Sequence, residues 1–163
     1  MLVIGLDPGT ATTGYGLVRE MADGSLQSVA YGVITTPAKE PMPTRLQSIY
    51  QQVTDLITEY EPDTAGIEEV FFGRNITTAI TVGQSRGVLL LALANAGLTI
   101  GEYSPPKIKD AVTGYGKADK AQVQMMIRNL LNLEKTPRPD DAADGLAVAI
   151  THYHYHRFES LYG

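Results

Sequence analysis

The chain has 163 residues, no cysteine and a formal net charge of -5. That length suits a single domain with a buried core, and the absence of cysteine excludes disulfides and thiolate metal sites and fits a reducing cytoplasm. No signal peptide is expected before the first strand, and the longest apolar run, Val88 to Ala94, is too short to span a bilayer, so a soluble protein is expected.

Leu2, Val3, Ile4 and Leu6 read as a buried strand that ends on Asp7, where Pro8-Gly9 forces a turn. Gly14 and Gly16 open a second extended run through Val18, and Ser25 to Thr35 reads as a third strand. These three form an antiparallel meander. Prolines 37, 41 and 43 mark a loop, and Thr44 is a plausible cap for a helix running to about Tyr60, with Leu46, Ile49, Val53, Leu56 and Ile57 facing the core. Ala65 to Val70 is a fourth strand. FFGRN is a loop, followed by a helix from about Thr77 to Ala96 and a fifth strand over Thr99–Tyr103. Ser104-Pro105-Pro106 starts a short helix ending near Gly114. Asp119 to Leu131 forms another helix, and Asp140 to about His154 the last, striped by Ala142, Leu146, Ala149 and Ile150; residues 157–163 are expected as a loose tail. The order indicates an α/β fold with a mixed sheet and helices packed on it.

Charge is uneven along this order. Residues 1–72 carry a net -7, residues 73–138 a net +5 and residues 139–163 a net -3. The basic middle can attract a polyanion whatever the total, although a solvated surface would look the same.

Acidic groups also stand where structure does not ask for them. Asp7 ends a buried strand, which is costly without a countercharge. Glu68 and Glu69 lie in the fourth strand, where glutamate is disfavoured. Asp141 and Asp144 are three apart on one face of the last helix, roughly 5–6 Å between Cβ atoms. Carboxylates converging this way repel unless hard cations sit among them. Two such ions about 3.5–4 Å apart are the usual arrangement for phosphodiester chemistry. Spacing leaves two choices open: strand alternation does not select between Glu68 and Glu69, and either Asp140 or Asp141 suits a helix cap.

Five segments, GLDPGTATTGYG, IEEVFFGRN, GQSRGV, KADKAQVQ and DDAADGLAVAITH, resemble in order and spacing the RuvC family of bacterial Holliday junction resolvases. The resemblance implies an RNase H-like fold with five strands, the first three antiparallel, and helices on both faces. It implies a homodimer, Mg²⁺-dependent paired nicking of four-way DNA junctions with two Mg²⁺ per site (Mn²⁺ substituting), and association with the RuvA–RuvB branch-migration complex. The family's catalytic and metal-binding carboxylates fall on Asp7, Glu68, Asp141 and Asp144; some relatives have histidine in the third position. One ion would activate a water and the other stabilise the departing 3′ oxygen, leaving a 5′ phosphate.

Phe71 and Phe72 follow the fourth strand beside Arg74, and an exposed aromatic there can stack on an unpaired base; the resemblance points to Phe71. Arg74, Lys107, Lys109, Lys117 and Lys120 are the candidate DNA contacts, with Lys117 or Lys120 suited to offset phosphate charge. His152, His154 and His156 are read as a fraying helix end rather than a metal cluster. The opening glycines also suit the phosphate hairpin of actin-like and sugar-kinase ATPases, which need a second domain that 163 residues do not provide. An inactive junction-binding protein is the other alternative, and the intact acidic set argues against it. Ala79, Gly83 and Gly87 recur every fourth residue. Two helical glycines cost about 1 kcal/mol each relative to alanine, so a compensating close contact is expected. Spacing leaves the chain's own sheet and a partner helix both open; the resemblance selects a dimer interface that includes Leu91.

Overall fold

A computed structural model describes residues 1–71 and 75–163 of the chain. A five-stranded mixed sheet in the order β3-β2-β1-β4-β5 organises it. Strands β1 (Leu2–Asp7), β2 (Thr12–Glu20) and β3 (Leu26–Thr35) form the antiparallel meander, with a register irregularity between Leu17 and Val18. β4 (Thr64–Glu68) then joins β1 in parallel and β5 (Thr99–Tyr103) joins β4 in parallel. The mixed sheet with helices packed on it is the architecture expected from the element order, and the helices cover both faces as the resemblance implies.

One face is covered by α1 (Met42–Tyr60) and α2 (Ile76–Asn95), which pack on each other over Leu2, Ile4, Leu6, Leu17, Ala65 and Ile67. The other is covered by α5 (Asp140–Tyr162), flanked by α3 (Pro105–Thr113) and α4 (Lys120–Leu130). Leu146 and Ile150 of α5 are fully buried, each worth about 1.5–3 kcal/mol relative to exposure.

Local starts and stops account for most boundaries. Ser104 accepts from the Lys107 amide, and Asp119 and Gln122 form a reciprocal capping box. Thr44 does not cap α1: the helix already starts at Met42 after Pro41, because Pro43 is tolerated in the first turn. Asn75 caps α2 by accepting from the Thr78 amide. β4 stops at Glu68 and so leaves Glu69 and Val70 outside the strand.

The last helix departs most from the reading of its sequence. Residues 142, 143 and 145–153 are all buried, so α5 is covered on nearly every side and not along one stripe. It also continues to Tyr162 where a loose tail was expected, since 157–162 remain helical although exposed.

The 20 residues of α2 are long and apolar enough to cross a membrane by length and composition; counting only the uninterrupted run Val88–Ala94 concealed this. Two of its polar side chains are committed within the fold, however. Ser85 reaches Thr10 and Arg86 pairs with Glu102, and an arginine mid-span costs roughly 2.5–3.5 kcal/mol in lipid.

Candidate active site

Strand alternation puts the acidic residues on one face. Leu2, Ile4 and Leu6 belong to the core under α1 and α2, whereas Val3 belongs to the core under α5, so Asp7 points toward α5. In β4 the same logic sends Ala65 and Ile67 to the α1–α2 side. Thr64 and Gly66, on the other side, touch His152 of α5. Glu68 therefore shares the face of Asp7, and the parallel pairing of Leu6 with Ile67 sets the two side by side. Glu69 lines the adjoining hollow with Phe71 and Ala79.

Missing side chains bring α5 down onto this face. A Cβ at Gly5 would overlap the Ala149 backbone, one at Gly14 the Asp141 carbonyl, and one at Gly16 would lie 2.6 Å from Leu146 Cα. A Cβ on Gly145 would lie 2.6 Å from Tyr15 Cα. Gly14 is also the cross-strand partner of Asp7. The helix backbone thus rests directly on β1 and β2, with its first turn against the end of β1.

Asp7, Asp141 and Asp144 consequently each offer a carboxylate oxygen within 4.8 Å of the others. Burial, followed by the neighbouring Glu68 and Asp141, pushes the Asp7 carboxyl up to about 9. Burial and Asp7 raise Asp144 to about 6. Lys120 Nζ lies 3.9 Å from Asp144 and 3.4 Å from Asp140, and one ammonium does not match the formal charge of the carboxylates gathered there. An oxygen-only donor set with excess negative charge fits a hard divalent cation, which would favour the ionised carboxylates. Asp7, Glu68 and Asp144 open on a cleft of about 270 Å³, closed by Lys109, Lys120 and Val123.

Other expected residues divide. Lys109 and Lys120 line the cleft, whereas Lys117 is exposed on the 114–119 loop and Lys107 is exposed on α3. Lys120 is thus the lysine beside the acidic cluster. Asp140 does not cap α5; it pairs with Arg138 and Lys120. Phe71 is 58% exposed beside Asp7, Asn75 and Ala79. Phe72 and Arg74 lie outside the described residues. On α2, Cβ atoms at Gly83 and Gly87 would meet open space, and Leu91 is 55% exposed. The glycines are therefore not packed on the chain's own sheet. Ala79 turns inward, because positions four apart drift around a helix with 3.6 residues per turn.

Sequence reasoning missed His152. It is 3% exposed, with Nδ1 2.7 Å from the Tyr103 hydroxyl and Nε2 2.7 Å from the Thr64 hydroxyl. Burial lowers it to about 4, so it is neutral at pH 7. It is a core residue linking α5 to β4 and β5 rather than a fraying end. Gly66 and Gly101, where a Cβ would strike its side chain, were the available signal.

The family model for crossover junction endodeoxyribonuclease RuvC matches residues 3–152. The chain is 54% identical over 161 residues to the crossover junction endodeoxyribonuclease RuvC of Syntrophomonas wolfei subsp. wolfei, covering 99% of this chain and 93% of that one. Its structure is similar to Thermus thermophilus RuvC at TM-score 0.90 and 35% identity, covering 98% and 97% of the two chains. It is similar at TM-score 0.88 and 32% identity, covering 97% and 96%, to T. thermophilus RuvC in complex with Holliday junction substrate.

Proposed function

The chain belongs to the RuvC family of crossover junction endodeoxyribonucleases, and from that premise we propose that Asp7, Glu68, Asp141 and Asp144 are its catalytic set. It is an endodeoxyribonuclease that resolves Holliday junctions. The observation that carries the site assignment is the meeting, within 4.8 Å, of Asp7 with Asp141 and Asp144, in the cleft that Glu68 also lines.

We read the chain as one nuclease domain over residues 1–163, acting in the cytoplasm. Two Mg²⁺ ions held by the four carboxylates, replaceable by Mn²⁺, would supply Lewis acidity for the attacking water and for the departing 3′ oxygen, leaving 5′ phosphate ends. The residues hold and orient. Asp7 and Glu68 come from adjacent rigid strand ends and Asp141 and Asp144 from one helical turn, so the donors are preorganised. Lys120, with Lys109 across the cleft, is placed to favour charge developing on the phosphate. The simplest test adds the protein to synthetic four-way junctions in chelator, where a bound, uncut complex is expected, and then adds Mg²⁺, which should start paired nicking. Cleavage in chelator would contradict the proposal.

Phe71 is read as the residue that stacks on an unpaired base at the crossover. Stacking is worth about 1–3 kcal/mol per base, whereas phosphate contacts dominate affinity. Phe71→Ala should therefore slow junction cleavage at least about fivefold while binding changes little. A matching fall in melting temperature would instead make Phe71 a packing residue.

Paired nicks on a two-fold junction call for a two-fold protein, and we read the outer face of α2 as the homodimer contact. Ile80, Gly83, Gly87 and Leu91 expose it. Gly87→Leu, whose new side chain meets open space in the single chain, should yield a folded monomer by light scattering. Paired nicking should fall more than single nicking, and an unchanged dimer would remove α2 from the interface. Association with the RuvA–RuvB complex is proposed on family grounds.

A further inference from the structure

Strand β4 ends at Glu68, and the peptide joining Glu68 to Glu69 is held from both sides. The Glu69 amide donates to the Tyr103 carbonyl of β5 at 2.8 Å. The Glu68 carbonyl accepts from Arg86 Nε of α2 at 3.1 Å. Arg86 is aimed by its second contact: Nη2 donates to Glu102 of β5, in an ion pair whose arginine side chain is 17% exposed against 51% for the glutamate. A planar guanidinium presents its donors in a fixed fork, so anchoring one end on Glu102 directs the other at the strand end. Its neighbour Ser85, wholly buried, lies 3.0 Å from Thr10 Oγ1 in the turn that follows Asp7. Two successive residues of α2 thus reach the turn that follows Asp7 and the end of the strand that carries Glu68.

We propose that Arg86 is a positioning residue for the nuclease site: it holds the end of β4 against β5 so that Glu68 stands at the height of Asp7, and without it the strand end frays. Arg86 touches neither the cleft nor the carboxylates, and the basic residues assigned to DNA do not include it. This rests on reading Glu68 as a catalytic metal ligand.

The test compares Arg86→Gln, Arg86→Lys, Glu102→Gln and Glu68→Gln in the full chain. Removing support behind a ligand costs about 10–100-fold in metal affinity or activity. Arg86→Gln should therefore need about 10–100 times more Mg²⁺ for half-maximal junction cleavage, with rate recovered at high Mg²⁺. Its melting temperature should rise less with Mn²⁺ than that of the wild type, and junction binding in chelator should stay within about threefold. Arg86→Lys keeps the charge against Glu102 but lacks the fork, and should show the same shift in a folded protein. Glu102→Gln keeps an amide oxygen that can accept from Nη2, so the fork stays aimed, and it should stay near the wild-type Mg²⁺ requirement.

A wild-type Mg²⁺ requirement in both Arg86 variants would overturn the proposal. So would loss of stability and cleavage in parallel at every Mg²⁺ concentration, or an equal shift in Glu102→Gln. Glu68→Gln separates the two layers. If it cleaves like the wild type, the reading of Glu68 as catalytic fails; if it is inactive while Arg86→Gln behaves normally, only the positioning role fails.

Discussion

Asp7→Asn, Glu68→Gln, Asp141→Asn and Asp144→Asn should each bind four-way junctions as the wild type does and cut them roughly 10²–10³-fold more slowly, or less. The amides keep the shape of the cleft and remove an anionic oxygen donor, a loss comparable to removing one preorganised electrostatic contact from a transition state. Glu69→Gln should remain active, because Glu69 lies beyond the end of β4, in the hollow beside Phe71. An inactive Glu69→Gln with an active Glu68→Gln would reverse the assignment. The same variants have a stability signature. Asp7 and Asp144 are raised well above an ordinary carboxyl, so the metal-free folded chain holds more protons than the unfolded chain. Its stability therefore falls as pH rises from about 4, the ordinary carboxyl range, toward the folded-state value of Asp7. Metal-free Asp7→Asn should melt higher than the wild type at pH 8, by about 2–4 °C for each kcal/mol that burial and the neighbouring carboxylates cost the Asp7 carboxyl. Mg²⁺ should narrow the difference by favouring the wild type.

Gly14→Ala should damage both stability and cleavage through a single methyl group. Its Cβ would overlap the Asp141 carbonyl, and the backbone there has no rotamer by which to yield. Overpacking of this kind costs about 1–3 kcal/mol and occasionally more, or roughly 2–12 °C in melting temperature for a chain of this size. Displacing the first turn of α5 also carries Asp141 and Asp144 away from Asp7, so cleavage should fall more than the unfolded fraction explains. Gly116→Ala is the control: its Cβ would meet only the Pro106 carbonyl, at 3.5 Å, and should leave both properties near wild type. An active, stable Gly14→Ala would mean that α5 does not rest on β2 as described.

Much of this arrangement is legible in the sequence because it rests on local signals. Proline, glycine and apolar period mark every strand and helix, and Asp7 is conspicuous at the end of a buried strand. What local signals do not carry is which side of the sheet each helix takes. Glu68 and Glu69 are equivalent until α5 is known to lie over Thr64 and Gly66, after which alternation decides between them. The motif resemblance supplied the same choice without a physical reason. His152 escaped because alternating histidines and tyrosines near the end of a sequence look like a fraying terminus. Only the pairing of Gly66 and Gly101 across β4 and β5 reveals the space made for its side chain. Ala79 was grouped with Gly83 and Gly87 by four-residue spacing, which drifts around the helix and carries Ala79 to the inner face.

Metal-directed cleavage of the polypeptide addresses the acidic cluster without depending on turnover. Fe²⁺ bound in place of Mg²⁺, with ascorbate and peroxide, generates hydroxyl radicals that cut the backbone beside the ion. Scission should fall next to Asp7, Glu68 and the Asp141–Asp144 turn, be suppressed by excess Mg²⁺ and weaken sharply in Asp7→Asn. Cuts elsewhere in the chain, or the same pattern undiminished in Asp7→Asn, would contradict a metal-dependent nuclease site built on these four carboxylates.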